Sequence, residues 1–212
     1  MTPSDPFYSS FDAAKSDYES AWQDSNNTRF ELPAIDVNDV LDRRYKMSPK
    51  HKLTRENIWE METKKAWDPF TYIPYVVSEG HSWGRKELPD GSTRFCRSSI
   101  QKGWITSERG RVLEDVCVGS QSQGIYFMGC QRFPDENGNE LKASTFQPIF
   151  HVWHGVGGAE DQPTNLWSIV LLTPKSDPRF EEPFKEMVRA GFLPGFIEIY
   201  INKDLGVALL RL

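Results

Sequence analysis

The chain has 212 residues, 38% of them apolar and 26% charged, which is the make-up of a folded domain with a real core, not of a disordered tail. Lys and Arg number 25 against 30 Asp and Glu; the net charge of −5 excludes a surface built to track phosphate backbones, so no nucleic-acid partner is expected. No apolar run approaches the ~20 residues that cross a bilayer, and no membrane partner is expected either.

The opening stretch, MTPSDPFYSSFDAAKS, has neither the basic start nor the apolar run of a secretory leader. Cys96, Cys117 and Cys130 are odd in number, widely spaced and set in apolar runs, which reads as free thiols in a reducing compartment. The expected location is the cytoplasm.

In chain order, Asp12 to Asp24 places Ala14, Tyr18, Ala21 and Trp22 on one stripe and predicts a short amphipathic helix. SNNTRFELP interrupts it. Asp36 can cap DVNDVLDRRYKM, where Val37, Val40, Leu41 and Tyr45 recur at helical spacing, and Ser48-Pro49 closes that segment. Thr54 opens TRENIWEMETKKAW; Ile58, Met61 and Lys65, with Trp59 and Ala66, describe a third helix that Asp68-Pro69 ends.

From Tyr72 the period turns from helical to alternating. TYIPYVV reads as an edge strand or a strand entry because of Pro74. Asp90-Gly91 and Asn137-Gly138 mark hairpin turns among the strands STRFCRSSIQKGWIT, RVLEDVCVGS, GIYFMGCQRF and KASTFQPIFHVWHGV. GVGGAEDQPTN reads as a loose Gly-rich loop before the strand LWSIVLLT. A late helix is predicted over 178–191, with Gly191 as its C-cap, and FIEIYI and GVALLRL read as two final strands.

Residues 1–50 therefore read as an N-terminal helical extension and 51–212 as a single α+β barrel domain. Helices followed by five or six antiparallel strands predict an α+β fold, with N-terminal helices packed on a strongly curved antiparallel sheet. This order is carried by ENIWEMETKKAWDPFTYIPYVV, RVLEDVCVG, GIYFMGCQRF and FQPIFHVWHGV, over about residues 50–175. It resembles the NTF2-like (SnoaL-like) superfamily of cone-shaped α+β barrels. The late helix and final strand pair depart from the simplest form of that fold and keep a calycin-like β-barrel open as an alternative.

The 13 Phe, 7 Tyr and 7 Trp suit an aromatic-lined cavity or an oligomer interface, with a Trp-rich core as the plainer alternative. Within FQPIFHVWH, period two puts Gln147, Ile149, His151 and Trp153 on one face and Phe146, Phe150, Val152 and His154 on the other. The two histidines thus point apart and do not make a metal pair. An amide, an imidazole and an indole on one face suit a pocket that orients a polar group, and His151 is the expected acid or base. His154 is expected at the loop mouth.

In RVLEDVCV, Glu114 shares a face with Val112, Val116 and Val118, and Asp115 with Leu113 and Cys117. One of these adjacent carboxylates is expected to be desolvated or paired, as an acid/base group or in a structural ion pair. Arg97 is in phase with Phe95, Ser99 and Gln101, placed to bind a phenolate, a carboxylate or the Asp115 side chain. Tyr72 and Tyr75 are expected at the pocket lip, Tyr126 beside Met128 as an aromatic wall, and His81 as a cap. Catalysis is thus expected from His151, Asp115 and Arg97, with Tyr72, Tyr75, His81, Gln101, Tyr126, Gln147 and Trp153 binding substrate.

No GxGxxG, P-loop, HExxH, GxSxG or CxxC is present, so no cofactor is expected. A metal site made of His81, His151 and Glu114 has no spacing in its support. The NTF2-like resemblance implies dehydratases, isomerases, cyclases and lyases with an internal acid/base pair, including cofactor-free lyases that release formaldehyde from lignin-derived diarylpropanes. The expectation is a cofactor-independent lyase, dehydratase or isomerase, a homo-oligomer (dimer or trimer), acting on a small aromatic or hydrophobic molecule. The alternatives are a non-catalytic binding protein with the same cavity, an accessory subunit, and a metal-dependent enzyme with His and Glu ligands.

Overall fold

A computed structural model describes residues 7–212; the first six residues of the stretch read above for a leader lie outside them. α1 (Phe11–Gln23) starts where the Ser10 hydroxyl accepts the Ala13 N–H at 3.1 Å, and it buries Ala14 and Tyr18 of the expected stripe. Next come the short strands β1 (Thr28–Glu31) and β2 (Ile35–Asp36). Asp36 caps α2 (Val37–Arg44) by accepting the Asp39 N–H, and β3 (Tyr45–Ser48) leaves that helix. α3 (Arg55–Trp67) has a reciprocal Thr54–Asn57 capping box; Asp68 ends it and caps the one-turn α4 (Pro69–Tyr72).

The long strands follow: β4 (Val77–Glu87), β5 (Thr93–Lys102), β6 (Arg109–Gly119) and β7 (Gly124–Cys130). A small hairpin of β8 (Arg132–Pro134) and β9 (Glu140–Lys142) precedes β10 (Phe150–Ala159) and β11 (Gln162–Leu171). A 3-10 turn at Pro178–Phe180 leads to α5 (Glu182–Ala190), α6 (Gly195–Lys203) and β12 (Ala208–Arg211). Gly91 turns the β4–β5 hairpin at φ +78° and Gly191 ends α5 at φ +66°, left-handed conformations that a side chain would strain.

The main sheet is antiparallel throughout, in the order β1-β11-β10-β7-β6-β5-β4, with β2 also on β11. The first fifty residues thus add two strands to the sheet that the rest of the chain builds. The coarse expectation of an α+β fold with helices on a large antiparallel sheet is met.

Several segments differ from the sequence reading. FIEIYI is not a strand but part of α6, because Phe196, Ile197, Tyr200 and Ile201 recur at helical spacing and are all buried. The last strand, β12, pairs with β3, part of the segment expected to continue α2. Thr71 and Tyr72 of the expected strand entry fall in α4, and pairing begins only at Val77. The Gly-rich run is no loop: β10 continues through it to Ala159, pairing residue for residue with β11.

Both faces of the sheet are covered, and this decides where every functional group goes. The inner face carries Phe95, Val116, Phe127, Val152 and Ile169 under α3, α5 and α6. On the outer face Cys117, Tyr126, Met128 and Val170 pack against Ala14 and Tyr18 of α1. A satellite cluster of Cys96, Leu113 and Phe133 sits under the β8–β9 hairpin. Among the described residues no helix is long and apolar enough to cross a membrane.

Candidate functional site

α3 lays Glu62 and Lys65 on one side, three residues apart, and presses that side onto the inner face at β10 and β11. Glu62 is fully buried and Lys65 is 3% exposed. The Lys65 ammonium lies 2.5 Å from Glu62 Oε2 and 2.6 Å from His154 Nδ1. His154 Nδ1 is 3.0 Å from the same Glu62 oxygen, and Glu62 Oε1 accepts from Asn165 Nδ2 at 2.8 Å. An ammonium with donors to both neighbours makes Nδ1 an acceptor, so the imidazole is assigned as neutral with its proton on Nε2.

The charges follow the same logic. Burial pushes His154 down to about 4, and the Lys65 charge adds to that. Burial would raise Glu62, but the Lys65 ammonium outweighs it and holds the carboxyl below the usual range. Lys65 falls below the ordinary lysine range because burial outweighs the pull of Glu62.

A second buried ion pair faces the same space. Arg97 Nε donates to Glu114 Oε2 at 2.8 Å and its Nη1 donates to the Ala66 carbonyl at 3.1 Å. Each cation rests on an aromatic face: Arg97 lies 4.5 Å from the Phe127 centroid and Lys65 3.9 Å from that of Phe196. Between them is a cavity of about 120 Å³, walled further by Trp104, Trp167 and Phe184. The indole N–H of Trp167 is buried and has no partner among the described residues. Trp104 also walls an open cleft of about 790 Å³ on its other side, with Phe146, Gln147 and Phe180.

Of the expected site residues, this cavity takes Arg97, Gln101 and Tyr75. Gln101 Nε2 donates to Ser99 Oγ at 3.0 Å, and Tyr75 sits at the rim, 52% exposed. His151 and Asp115, expected to carry catalysis, are on the outer face instead, both in register with Met128. His151 Nδ1 accepts the Gly129 N–H at 3.0 Å, and burial pushes its pKa down to about 4. Asp115 is held by Arg94 at 2.6 Å and by the Tyr8 N–H at 2.9 Å. Both of the adjacent carboxylates are therefore paired, because neither face of β6 meets solvent.

Tyr126 and Trp153 also belong to the outer face, in and against the cluster under α1. Tyr72 is buried and donates to Asp204 Oδ2 at 2.8 Å, away from the cavity. His81 is exposed, pairs with Glu136 at 2.7 Å and stacks on Trp83. Gln147 accepts the Trp104 N–H at 3.3 Å and lines the open cleft. His81, His151 and Glu114 are not brought together, and among the described residues no group of three His, Cys, Asp or Glu is poised for a metal.

Sequence reasoning missed Glu62, Lys65 and His154 as site residues. The signal was present: Lys65 falls on the apolar stripe of α3, with an acid three residues before it. His154 shares its strand face with Phe150 and Val152, both in the inner core.

No family model matches the chain, and no curated protein matches it by sequence. Among solved structures the chain is similar to Ara h 8.0201 at 9% identity and TM-score 0.47, over 85% of this chain and 99% of that one. It is similar to a START superfamily protein from Mycobacterium smegmatis at 11% identity and TM-score 0.39, over 77% of this chain and 97% of that one. The di-domain ARO/CYC StfQ of the steffimycin biosynthetic pathway matches at 13% identity and TM-score 0.40, over 76% of this chain and 46% of that one.

Proposed function

We propose that the chain binds a small, uncharged aromatic molecule in the inner cavity and moves a proton on it, in a reaction of the lyase, dehydratase or isomerase type. The observation that carries this reading is the Glu62–Lys65–His154 cluster at the wall of an aromatic cavity. About 120 Å³ is close to the ~150 Å³ of an apolar cavity that holds a benzene ring. Lys65 and Arg97 balance Glu62 and Glu114, so a charged guest would leave one charge buried without a partner.

In this reading the Lys65 ammonium gives a proton across 2.6 Å to Nδ1 of His154, which is neutral at pH 7; the freed amine is then the base and the imidazolium Nε2–H the acid. Arg97 and the free Trp167 N–H polarise an oxygen of the guest. His154 and Lys65 thus take the roles first given to His151 and Asp115, and Arg97 keeps its own. A binding protein without turnover is the second reading, favoured by the mutual pairing of all four buried charges.

Exchange of the α-protons of phenylacetone in heavy water, followed by NMR, tests the first reading without knowledge of the natural substrate. The chain should accelerate exchange, and His154→Asn and Lys65→Met should abolish the acceleration. Binding without any accelerated exchange leaves the second reading.

A further inference from the structure

We infer that the Lys65 amine forms a covalent imine with an aromatic aldehyde or ketone held in the cavity. The inference rests on the proposed binding of a neutral aromatic guest and adds the chemical class of that guest. Three observations carry it.

First, among the described residues Lys65 is the one lysine of the cavity wall, and its Nζ lies over the face of Phe196, another residue of that wall, at 3.9 Å. Second, the Trp167 indole N–H is a buried donor without a partner among the described residues, and an acceptor such as a carbonyl oxygen satisfies it. Third, the partners of Lys65 suit the reaction at each stage. His154 Nδ1, at 2.6 Å, takes the proton that the ammonium must lose, and Glu62 Oε2, at 2.5 Å, is a fixed counter-ion.

The balance is as follows. The ammonium gives a proton to His154, and the free amine adds to the carbonyl carbon. A C–N bond forms as the C=O π pair moves to oxygen. The protonated His154 gives its proton to that oxygen and takes one from the nitrogen, leaving the neutral carbinolamine. Acid from His154 then expels the hydroxyl as water while the nitrogen lone pair closes C=N. Overall, ammonium and carbonyl become iminium and water, with no oxidant or reductant. The positive charge starts and ends at the Lys65 nitrogen and passes to His154 in between, so Glu62 Oε2, in contact with both, faces a cation throughout. Desolvation of the amine favours the neutral nucleophile, as it does for other buried reactive lysines.

The test is reductive trapping of the full chain with benzaldehyde and sodium cyanoborohydride at pH 7, with peptide mapping by mass spectrometry. Binding of benzyl alcohol, which cannot form an imine, is followed in parallel by tryptophan fluorescence. Benzylation of Lys65 at least tenfold above exposed lysines such as Lys50 and Lys142, suppressed by excess benzyl alcohol, is the expected result. Benzyl alcohol binding with Lys65 left at or below the level of the exposed lysines overturns the imine and leaves the cavity reading standing. No binding and no selective trapping overturns both. Because the wild-type map decides, the outcome does not depend on whether Lys65→Arg folds.

Discussion

Glu114 grips Arg97 on the inner face of the sheet, 2.8 Å from carboxylate oxygen to Nε, with both side chains almost wholly out of water. A buried pair of this kind is expensive to break and cheap to replace as a unit. Removing one partner leaves an uncompensated charge and costs roughly 3–5 kcal/mol, whereas apolar residues of similar volume at both positions are often neutral. Glu114→Ala or Arg97→Ala should each destabilise by about that much in denaturant unfolding, and the double variant R97M/E114L should recover most of the loss. A double variant as unstable as the singles contradicts this account of the pair.

His151 and His154 should separate cleanly in function. His151→Ala orphans the Gly129 N–H, which costs about 1–3 kcal/mol, and leaves the inner cavity untouched. Stability should fall while the affinity for benzyl alcohol stays within about twofold. His154→Asn should abolish proton exchange on phenylacetone. Loss of exchange in the His151 variant with retention in the His154 variant would reverse the assignment of the two faces.

Acid should unfold the protein in a defined window. Both imidazoles are held near 4 by burial, against about 6.5 in the unfolded chain. Between those values the unfolded state binds protons that the fold refuses, so stability falls as pH falls. The slope is about 1.4 kcal/mol per pH unit for each imidazole. Below about 4 the folded imidazoles also protonate and this contribution levels off, while Glu62, held low by its partners, adds a further loss. Denaturant melts from pH 7 to 4 should show that slope, and replacing His151 by Asn should roughly halve it.

Trp104 stands between the inner cavity and the open cleft, packed on Phe150 at 4.7 Å and on Phe184 at 5.1 Å between ring centroids. Trp104→Ala should join the two spaces and admit bicyclic guests such as naphthalene methanol, which the wild type should exclude. Calorimetric titration of both proteins checks this.

The cysteines should be inert. Cys96 and Cys117 are buried, and burial pushes the Cys130 thiol up to about 12. Ellman titration should find no fast thiol in native protein and three after denaturation.

Much of this was legible in the residues. The caps at Asp36 and Thr54, the hairpin turns and the face assignments along β5, β6 and β10 follow from local chemistry and period two. What the chain does not state locally is which sheet face is inside, and this one fact misplaced His151 and Asp115. Period two separates two faces but ranks neither, and here α1 buries the second face as thoroughly as α3 and α6 bury the first. The Glu62–Lys65 pair was hidden for a related reason: two charges on the buried stripe of α3 erase the apolar periodicity that marks a core-facing side. α6 was misread because FIEIYI alternates like a strand, and only its packing among Val37, Leu41 and Ile58 makes it a helix.

The central claim, a guest cavity on the inner face, is tested most directly by the indole N–H resonances during titration with benzyl alcohol. The account predicts saturable, one-to-one shifts of Trp104 and Trp167, abolished by filling the space with Val152→Trp, while Trp22 and Trp153 of the outer face stay still. Shifts confined to Trp22 and Trp153, or no saturation at all, contradict it.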